Sequence, residues 1–162
     1  MNRHSTRFKY KSIAVGGTFD HIHKGHKALL DRAFQTGEKV FVGVTADDFV
    51  AKVGKRIDND FERRKKELVS YLETAYPGRD FEITKLEQSF GPGMFTTDIE
   101  AIAVSAETAE RVESANKRRM EMGIPELKIE IVPMILAADG RRISSTRIRA
   151  KEIDEEGRTL PR

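Results

Sequence analysis

A short apolar run that ends in two glycines and opens into a helix-patterned segment constrains this chain more than any other stretch. Ser12-Ile13-Ala14-Val15 has the make-up of a buried strand, and Gly16-Gly17-Thr18-Phe19-Asp20-His21-Ile22-His23-Lys24-Gly25-His26 follows it. Leu29, Leu30, Ala33 and Phe34 then recur at helical spacing between Lys27 and Phe34. The order strand, turn, helix makes the turn a phosphate site. The two glycines let backbone approach a ligand closely, and a helix starting near Gly25 aims unpaired N–H groups and a partial positive charge at it. His23 and His26 lie three residues apart across the helix start, so their imidazoles face the same ligand as additional donors.

The remainder alternates in the same way. Lys39 to Thr45 reads as a second buried strand after Gly37, followed by a long charged connection from Ala46 to Asp60. Asp58 or Asn59 is placed to cap a helix with the apolar stripe Phe61, Leu68, Tyr71, Leu72 and Tyr76, which Pro77-Gly78 ends. Phe81 to Leu86 alternates like a third strand, and Gly91-Pro92-Gly93 breaks the pattern as a loop. A fourth strand is predicted over Ile99 to Val104. Ser105 to Thr108 starts a long polar helix that Gly123 and Pro125 close. Lys128 to Leu136 forms a fifth strand, Asp139-Gly140 a turn, and Ser144 or Ser145 caps a helix over Thr146 to Ile153.

Five strands interleaved with helices imply an α/β, Rossmann-like, doubly wound parallel sheet with right-handed crossovers and helices on both faces. Ligands of such sheets sit at the carboxyl ends of the strands beside the switch point. Gly17 to His26 and Ile143 to Arg149 both follow predicted strands, so they are expected to converge on one crevice.

Composition narrows the classes of function. At 162 residues with 38% hydrophobic content the chain is read as a single domain, with a basic arm over 1–10 and a tail over 158–162. Cysteine is absent, which excludes a disulfide framework and thiolate metal sites and fits a reducing, cytoplasmic setting. The longest apolar run, Ile131 to Ala138, is too short to span a bilayer and contains Pro133, and the arm Met1 to Lys11 has no apolar core of a signal sequence. With 29 basic against 26 acidic residues the net charge is +3, a mild preference for an anionic ligand. Arg63-Arg64-Lys65-Lys66 is flanked by Glu62 and Glu67 with no interleaved aromatics, so it reads as a solvated helix face and not as a nucleic-acid surface.

Three other chemistries are set aside. His21, His23 and His26 lack the carboxylate or thiolate partners of a metal cluster, since His4 is the sole histidine elsewhere. Asp20, just before a helix, is read as a cap of backbone N–H groups in preference to a magnesium ligand. Gly16-Gly17 does not have the spacing of a dinucleotide fingerprint.

Gly17-Thr18-Phe19-Asp20 followed by His23-Lys24-Gly25-His26 resembles the nucleotidyltransferase superfamily, and Ile143-Ser144-Ser145-Thr146-Arg147-Ile148-Arg149 resembles its second motif. With Val104 to Thr108, Asn116 to Arg119, and Glu152-Ile153-Asp154 before Gly157, the chain is similar to the archaeal and eukaryotic type of phosphopantetheine adenylyltransferase from about Tyr10 to Gly157. It departs from that pattern at Gln88-Ser89, where an acidic residue is expected.

The resemblance implies transfer of adenylate from ATP, accompanied by Mg2+, to 4′-phosphopantetheine. The products would be dephospho-coenzyme A and pyrophosphate in coenzyme A synthesis, by direct in-line attack in a monomeric enzyme; coenzyme A would be a product-like ligand. By the same resemblance Thr18 orients the attacking phosphate, and His23 and His26 donate to the α and β phosphates. Lys52 or Lys55 reaches the acceptor or the α-phosphate, and Ser144, Ser145, Thr146 and Arg149 hold the β and γ phosphates. Gly16, Gly17, Phe19, Glu107 and Arg119 complete the nucleotide site, and no protein side chain is assigned to a metal. Arg147 would point well away from Arg149 on its helix, so the two are not expected to serve one phosphate. The rivals are a relative with another acceptor (glycerol 3-phosphate, flavin mononucleotide or nicotinamide mononucleotide), a nucleotide-binding module without turnover, and a fragment related to class I aminoacyl-tRNA synthetases. Thr18 together with His23 and His26 favours an enzyme over a module.

Overall fold

The computed structural model describes residues 7–88 and 90–161; Ser89 of the Gln88-Ser89 departure and the first six residues of the basic arm lie outside them. Strand β1 (Tyr10–Gly17) leads through the glycine turn into helix α1 (Lys24–Thr36), and β2 (Gly37–Thr45) follows without a gap. Gly37 is required at that junction, because a Cβ there would fall 2.3 Å from Ile13 Cγ2. Helices α2 (Asp47–Lys52) and α3 (Phe61–Ala75) precede β3 (Asp80–Leu86), and a 3-10 turn (Pro92–Phe95) precedes β4 (Ala101–Ser105). Helix α4 (Ala106–Glu121), β5 (Lys128–Val132) and α5 (Ser145–Arg149) complete the order.

The five strands are all parallel in the order β3-β2-β1-β4-β5. The direction of winding reverses between β1 and β4, so the crevice at their carboxyl ends is the switch point. Alternation sorts the core onto two faces. Ile13, Val15, Val40 and Val42 pack with Leu30 and Phe34 of α1 and with Leu68 and Leu72 of α3. Ile102 and Val104 pack on the other face with Val112 and Ala115 of α4 and with Leu127, where Ala14 and Phe41 also lie. Leu68 and Leu72 are each fully buried, contributing about 2 kcal/mol apiece. A smaller cluster of Ala137, Ile143 and Ile153 ties the C-terminal segment together. Among the described residues no helix is long and apolar enough to cross a membrane.

Several boundaries differ from those read in the sequence. The charged connection holds α2, with Asp47 and Asp48 in its first turn and Lys52 in its last, a charge order that complements the helix dipole. Helix α3 is capped by Asp60, whose carboxylate accepts from Arg63 N at 2.9 Å; the Asp58 carboxylate is engaged by His21 and the Asn59 side-chain amide by Asp20. Gly91-Pro92-Gly93 feeds the 3-10 turn where a loop was expected, and β4 begins at Ala101, two residues after Ile99. Strand β5 stops at Val132, since Pro133 brings no N–H to a ladder, and Leu136 bridges antiparallel to Arg142 instead. Helix α5 ends at Arg149, and Ile153 pairs with Thr159 beyond it.

The Arg63 to Lys66 run is only partly a solvated face. Arg64 is fully buried, donating to the carbonyls of Asn59 (3.0 Å), Thr18 (2.8 Å) and Thr45 (2.8 Å) and to the Asp47 carboxylate (2.7 Å).

Candidate active site

At the switch point a cleft of about 1070 Å³ opens between the β1–α1 turn, the loop after α2, the start of α4 and the N-terminus of α5. Its chemistry begins with how α1 starts. His23 is the N-cap, and its Nδ1 accepts from the N–H groups of Gly25 (3.1 Å) and His26 (3.3 Å), while His26 Nδ1 accepts from His23 N (3.2 Å). Two imidazoles thus form a reciprocal capping box. A ring nitrogen that accepts carries no proton, so in both rings the proton is on Nε2. The rings stack with centroids 3.7 Å apart. Burial, with smaller contributions from the positive charges of Arg142 and His21, pushes the His23 imidazole down to about 4. Burial and then His23 push His26 down to about 3. Near neutral pH the cleft therefore meets a pair of uncharged donors. Gly25 is needed beside them, since a Cβ there would lie 2.9 Å from His23 Cε1.

Asp20 does not cap α1. Its fully buried carboxylate accepts from Asp58 N (3.0 Å), Asn59 N (3.0 Å), Asn59 Nδ2 (3.1 Å) and Arg149 Nη1 (2.7 Å). Burial alone would raise its pKa, but the backbone donors of Asp58 and Asn59 and the Arg149 guanidinium outweigh that and hold it low. Among the described residues one group, Asp20, His21 and Asp58, brings potential ligand atoms within 4.8 Å of one another. It does not fit Mg2+, because Asp20 is saturated by those donors and His21 Nε2 is engaged by Asp58 at 2.8 Å, whereas Mg2+ prefers a shell of free oxygens and water.

The second wall comes from α5. Ser144 caps it by accepting from Arg147 N at 3.2 Å, and Ser145, Thr146 and Arg149 line the cleft beside it. Arg149 also approaches Thr146 Oγ1 (3.4 Å). Arg147 is buried and turned away, paired with Asp139 and with Glu152 (3.3 Å) and donating to Arg142 O (2.9 Å), so it braces the approach to α5. Across the cleft Glu107, in the first turn of α4, receives Arg142 Nη1 at 3.0 and 3.2 Å. Thr18 Oγ1 accepts from Thr45 Oγ1 at 3.2 Å, which leaves the Thr18 proton free to point into the cleft. Away from these polar groups the same cleft continues over the sheet between Phe41, Leu86, Phe90, Met94, Ile99 and Ile102, an apolar end.

The sequence profile of the cytidylyltransferase-like family matches residues 14–151. The chain belongs to that family. It is 43% identical over 154 residues to a phosphopantetheine adenylyltransferase of Methanothermobacter thermautotrophicus, covering 95% of this chain and 92% of the relative. It is 42% identical over 159 residues to a phosphopantetheine adenylyltransferase of Pyrococcus furiosus, covering 95% and 96%. Among solved structures, a protein of unknown function from Archaeoglobus fulgidus superposes with a TM-score of 0.67 at 33% identity, over 75% of this chain and 88% of that one.

Of the residues that the resemblance to the nucleotidyltransferase superfamily and its phosphopantetheine adenylyltransferases singled out, the cleft gathers Gly16, Gly17, Thr18, His23, His26, Lys55, Glu107, Ser144, Ser145, Thr146 and Arg149. Three stand outside its lining. Phe19 is buried behind His26, ring centroids 4.9 Å apart, in a left-handed backbone conformation (φ 53°); it packs against the imidazole and lies outside the cleft lining. Arg119 is buried in α4, its Nε donating to the carbonyl of Pro125 (2.8 Å) and its Nη1 to those of Met94 (2.6 Å) and Thr96 (2.9 Å), so the guanidinium ties α4 to the 3-10 turn and lies outside the cleft lining. Lys52 lies in the last turn of α2 and is not among the lining residues, although Phe49 and Val53 beside it are.

Arg56, Arg111 and Arg142 line the cleft and were missed. Arg111 was within reach of the sequence, because it follows Glu107 by one helical turn on the same face of α4. Arg56 and Arg142 lie in irregular backbone, where no periodicity points inward.

Proposed function

We propose that this protein transfers the adenylyl group of ATP to 4′-phosphopantetheine, releasing pyrophosphate and forming dephospho-coenzyme A. The observation that carries this reading is the pair of neutral Nε2–H donors of His23 and His26, set side by side at a helix N-terminus in a cleft whose far end is apolar. Such a cleft suits a triphosphate at one end and a long, largely uncharged arm at the other.

The acceptor's phosphate oxygen attacks the α-phosphorus, the new P–O bond forms, and the bond to the bridging oxygen breaks, its electron pair leaving with pyrophosphate. A phosphate monoester is anionic near neutral pH, so the step needs neither a covalent intermediate nor a strong base, only positioning and charge stabilisation. Thr18 donates its free hydroxyl proton to the acceptor phosphate, with Thr45 fixing its direction. Lys55 neutralises the same group from the loop after α2. His23 and His26 donate to the α and β phosphates. Being uncharged, they bind the ground state weakly and gain strength as charge builds on the phosphoryl oxygens. Ser144, Ser145, Thr146 and Arg149 hold the β and γ phosphates at the start of α5. Mg2+ arriving with ATP would neutralise triphosphate charge through phosphate oxygens and water.

Pyrophosphate release tests the assignment, with ATP or CTP and Mg2+ offered against 4′-phosphopantetheine, glycerol 3-phosphate, flavin mononucleotide and nicotinamide mononucleotide. Release confined to ATP with 4′-phosphopantetheine is expected. Release with another pair moves the acceptor assignment, and bound nucleotide without release with any acceptor restores the binding module.

A further inference from the structure

One buried side chain outside the cleft lining bonds to both of the walls that flank the cleft. Asp20 is fully buried, and its carboxylate takes partners from both halves of the site. One oxygen takes Arg149 Nη1 of α5 at 2.7 Å together with the backbone N–H of Asp58. The other takes the backbone and side-chain N–H groups of Asn59, whose amide also donates to Asp20 O at 3.1 Å.

The loop that carries Lys55 has few other supports. Lys55 N reaches back to Val50 O, and from there the attachments run to Asp20, to His21 through Asp58, and to Arg64 through Asn59 O. Gly54, just ahead of Lys55, is in the left-handed region (φ 77°) with no atom within 4 Å of a Cβ placed there, so nothing packs on that corner. Arg149, for its part, is only 14% exposed and has one nitrogen on Asp20 and the other near Thr146 at the mouth of the triphosphate end.

We infer that Asp20 is a positioning residue that couples the nucleotide end to the acceptor end. A triphosphate drawn to α5 fixes Arg149, whose fork spans from the anion to Asp20. With Asp20 fixed, the N–H groups of Asp58 and Asn59 are held and Lys55 is presented to the acceptor phosphate. Linkage makes the effect mutual: each substrate binds more tightly when the other is in place. The inference rests on reading the cleft as an ATP and 4′-phosphopantetheine site.

The test is calorimetric titration of the full chain with 4′-phosphopantetheine, with and without saturating α,β-methylene-ATP and Mg2+, an analogue that cannot transfer its adenylyl group. In the wild type the acceptor dissociation constant should fall about tenfold when the analogue is present. In Asp20→Asn, which keeps the size of the side chain but turns an amide or a weaker acceptor toward Arg149, the ratio should fall to within twofold of one. Circular dichroism melting establishes that the variant is folded. If it is not, Arg149→Lys serves, since a lysine keeps the charge at the mouth but cannot fork to Asp20 and the anion together, and the same loss of coupling is expected. A wild type that binds both ligands without coupling, or a folded variant that retains the tenfold ratio, overturns the inference and leaves the functional reading intact. A wild type that binds neither ligand overturns the functional reading, and the coupling with it.

Discussion

Acidification should unfold this protein in a pH range set by His23 and His26, well before its carboxylates are protonated. In the folded chain these imidazoles titrate near about 4 and about 3, whereas in the unfolded chain each returns to the ordinary value of 6.5. The folded pKa values are depressed, so between those limits the unfolded chain binds more protons and stability falls as pH falls. Geometry gives the reason: protonating Nδ1 of either ring removes an acceptor from a backbone N–H, and protonating both places two cations in stacked rings 3.7 Å apart. Taking the pH from 7 to 4.5 costs each histidine up to about 2.7 kcal/mol at 1.36 kcal/mol per unit, and roughly 3 to 5 kcal/mol for the interacting pair. That is a large part of the total stability of a typical domain. Asp20, Asp47, Glu130, Asp139 and Asp154, all held below their usual values, contribute stability that is lost only as pH falls through those usual values and below, so from pH 6.5 down to 4.5 the histidines dominate the loss. Urea unfolding followed by circular dichroism at several pH values between 7 and 4.5 measures the slope in the wild type and in the double variant His23→Asn and His26→Asn. Asparagine oxygens take over the accepting role of Nδ1 but do not titrate, so the variant should be nearly flat across this range. A flat wild-type profile, or an equal slope in both proteins, would refute the account of these rings as buried, neutral caps.

Other substitutions separate the remaining roles. Arg64→Met leaves three carbonyls and the half-exposed Asp47 carboxylate without their donor, and should cost about 3 to 5 kcal/mol in denaturant unfolding, with Arg64→Lys in between; a loss below about 1 kcal/mol would mean that water replaces the guanidinium. His26→Ala should lower turnover about a hundredfold while changing ATP affinity little, and equal losses in both would assign the ring to ground-state binding. Lys55→Ala should raise the KM for the acceptor about tenfold and Lys52→Ala leave it near the wild-type value, given that Lys55 alone of the two lines the cleft; the opposite ranking would return the role to Lys52.

Much of this architecture is legible in the sequence because the strands are short apolar runs and the helices carry regular stripes. Boundaries fail where a single hydrogen-bond partner decides them, as at Asp60 and Pro133, or where an element is too short for a stripe, as in α2. The two phosphate turns are legible because each is contiguous. Arg64 and Arg119 were misread for a common reason. Phe61, Arg64, Leu68 and Leu72 form one buried stripe of α3, and Val112, Ala115, Asn116 and Arg119 form one of α4. The spacing placed both arginines inside, but their charge suggested solvent or phosphate; backbone carbonyls from loops distant in sequence are what make their burial tolerable.

The reciprocal cap of α1 also changes what the two histidines mean as a fingerprint of activity. The opposite nitrogens of each ring answer to different pressures, Nδ1 to the integrity of the helix start and Nε2 to the proposed reaction. A descendant that had abandoned turnover would still be penalised for losing either ring, so both can outlast the activity in a lineage. Asparagine would satisfy the first pressure and fail the second, and its appearance at either position in a related chain would mark a protein that kept the fold and gave up the chemistry.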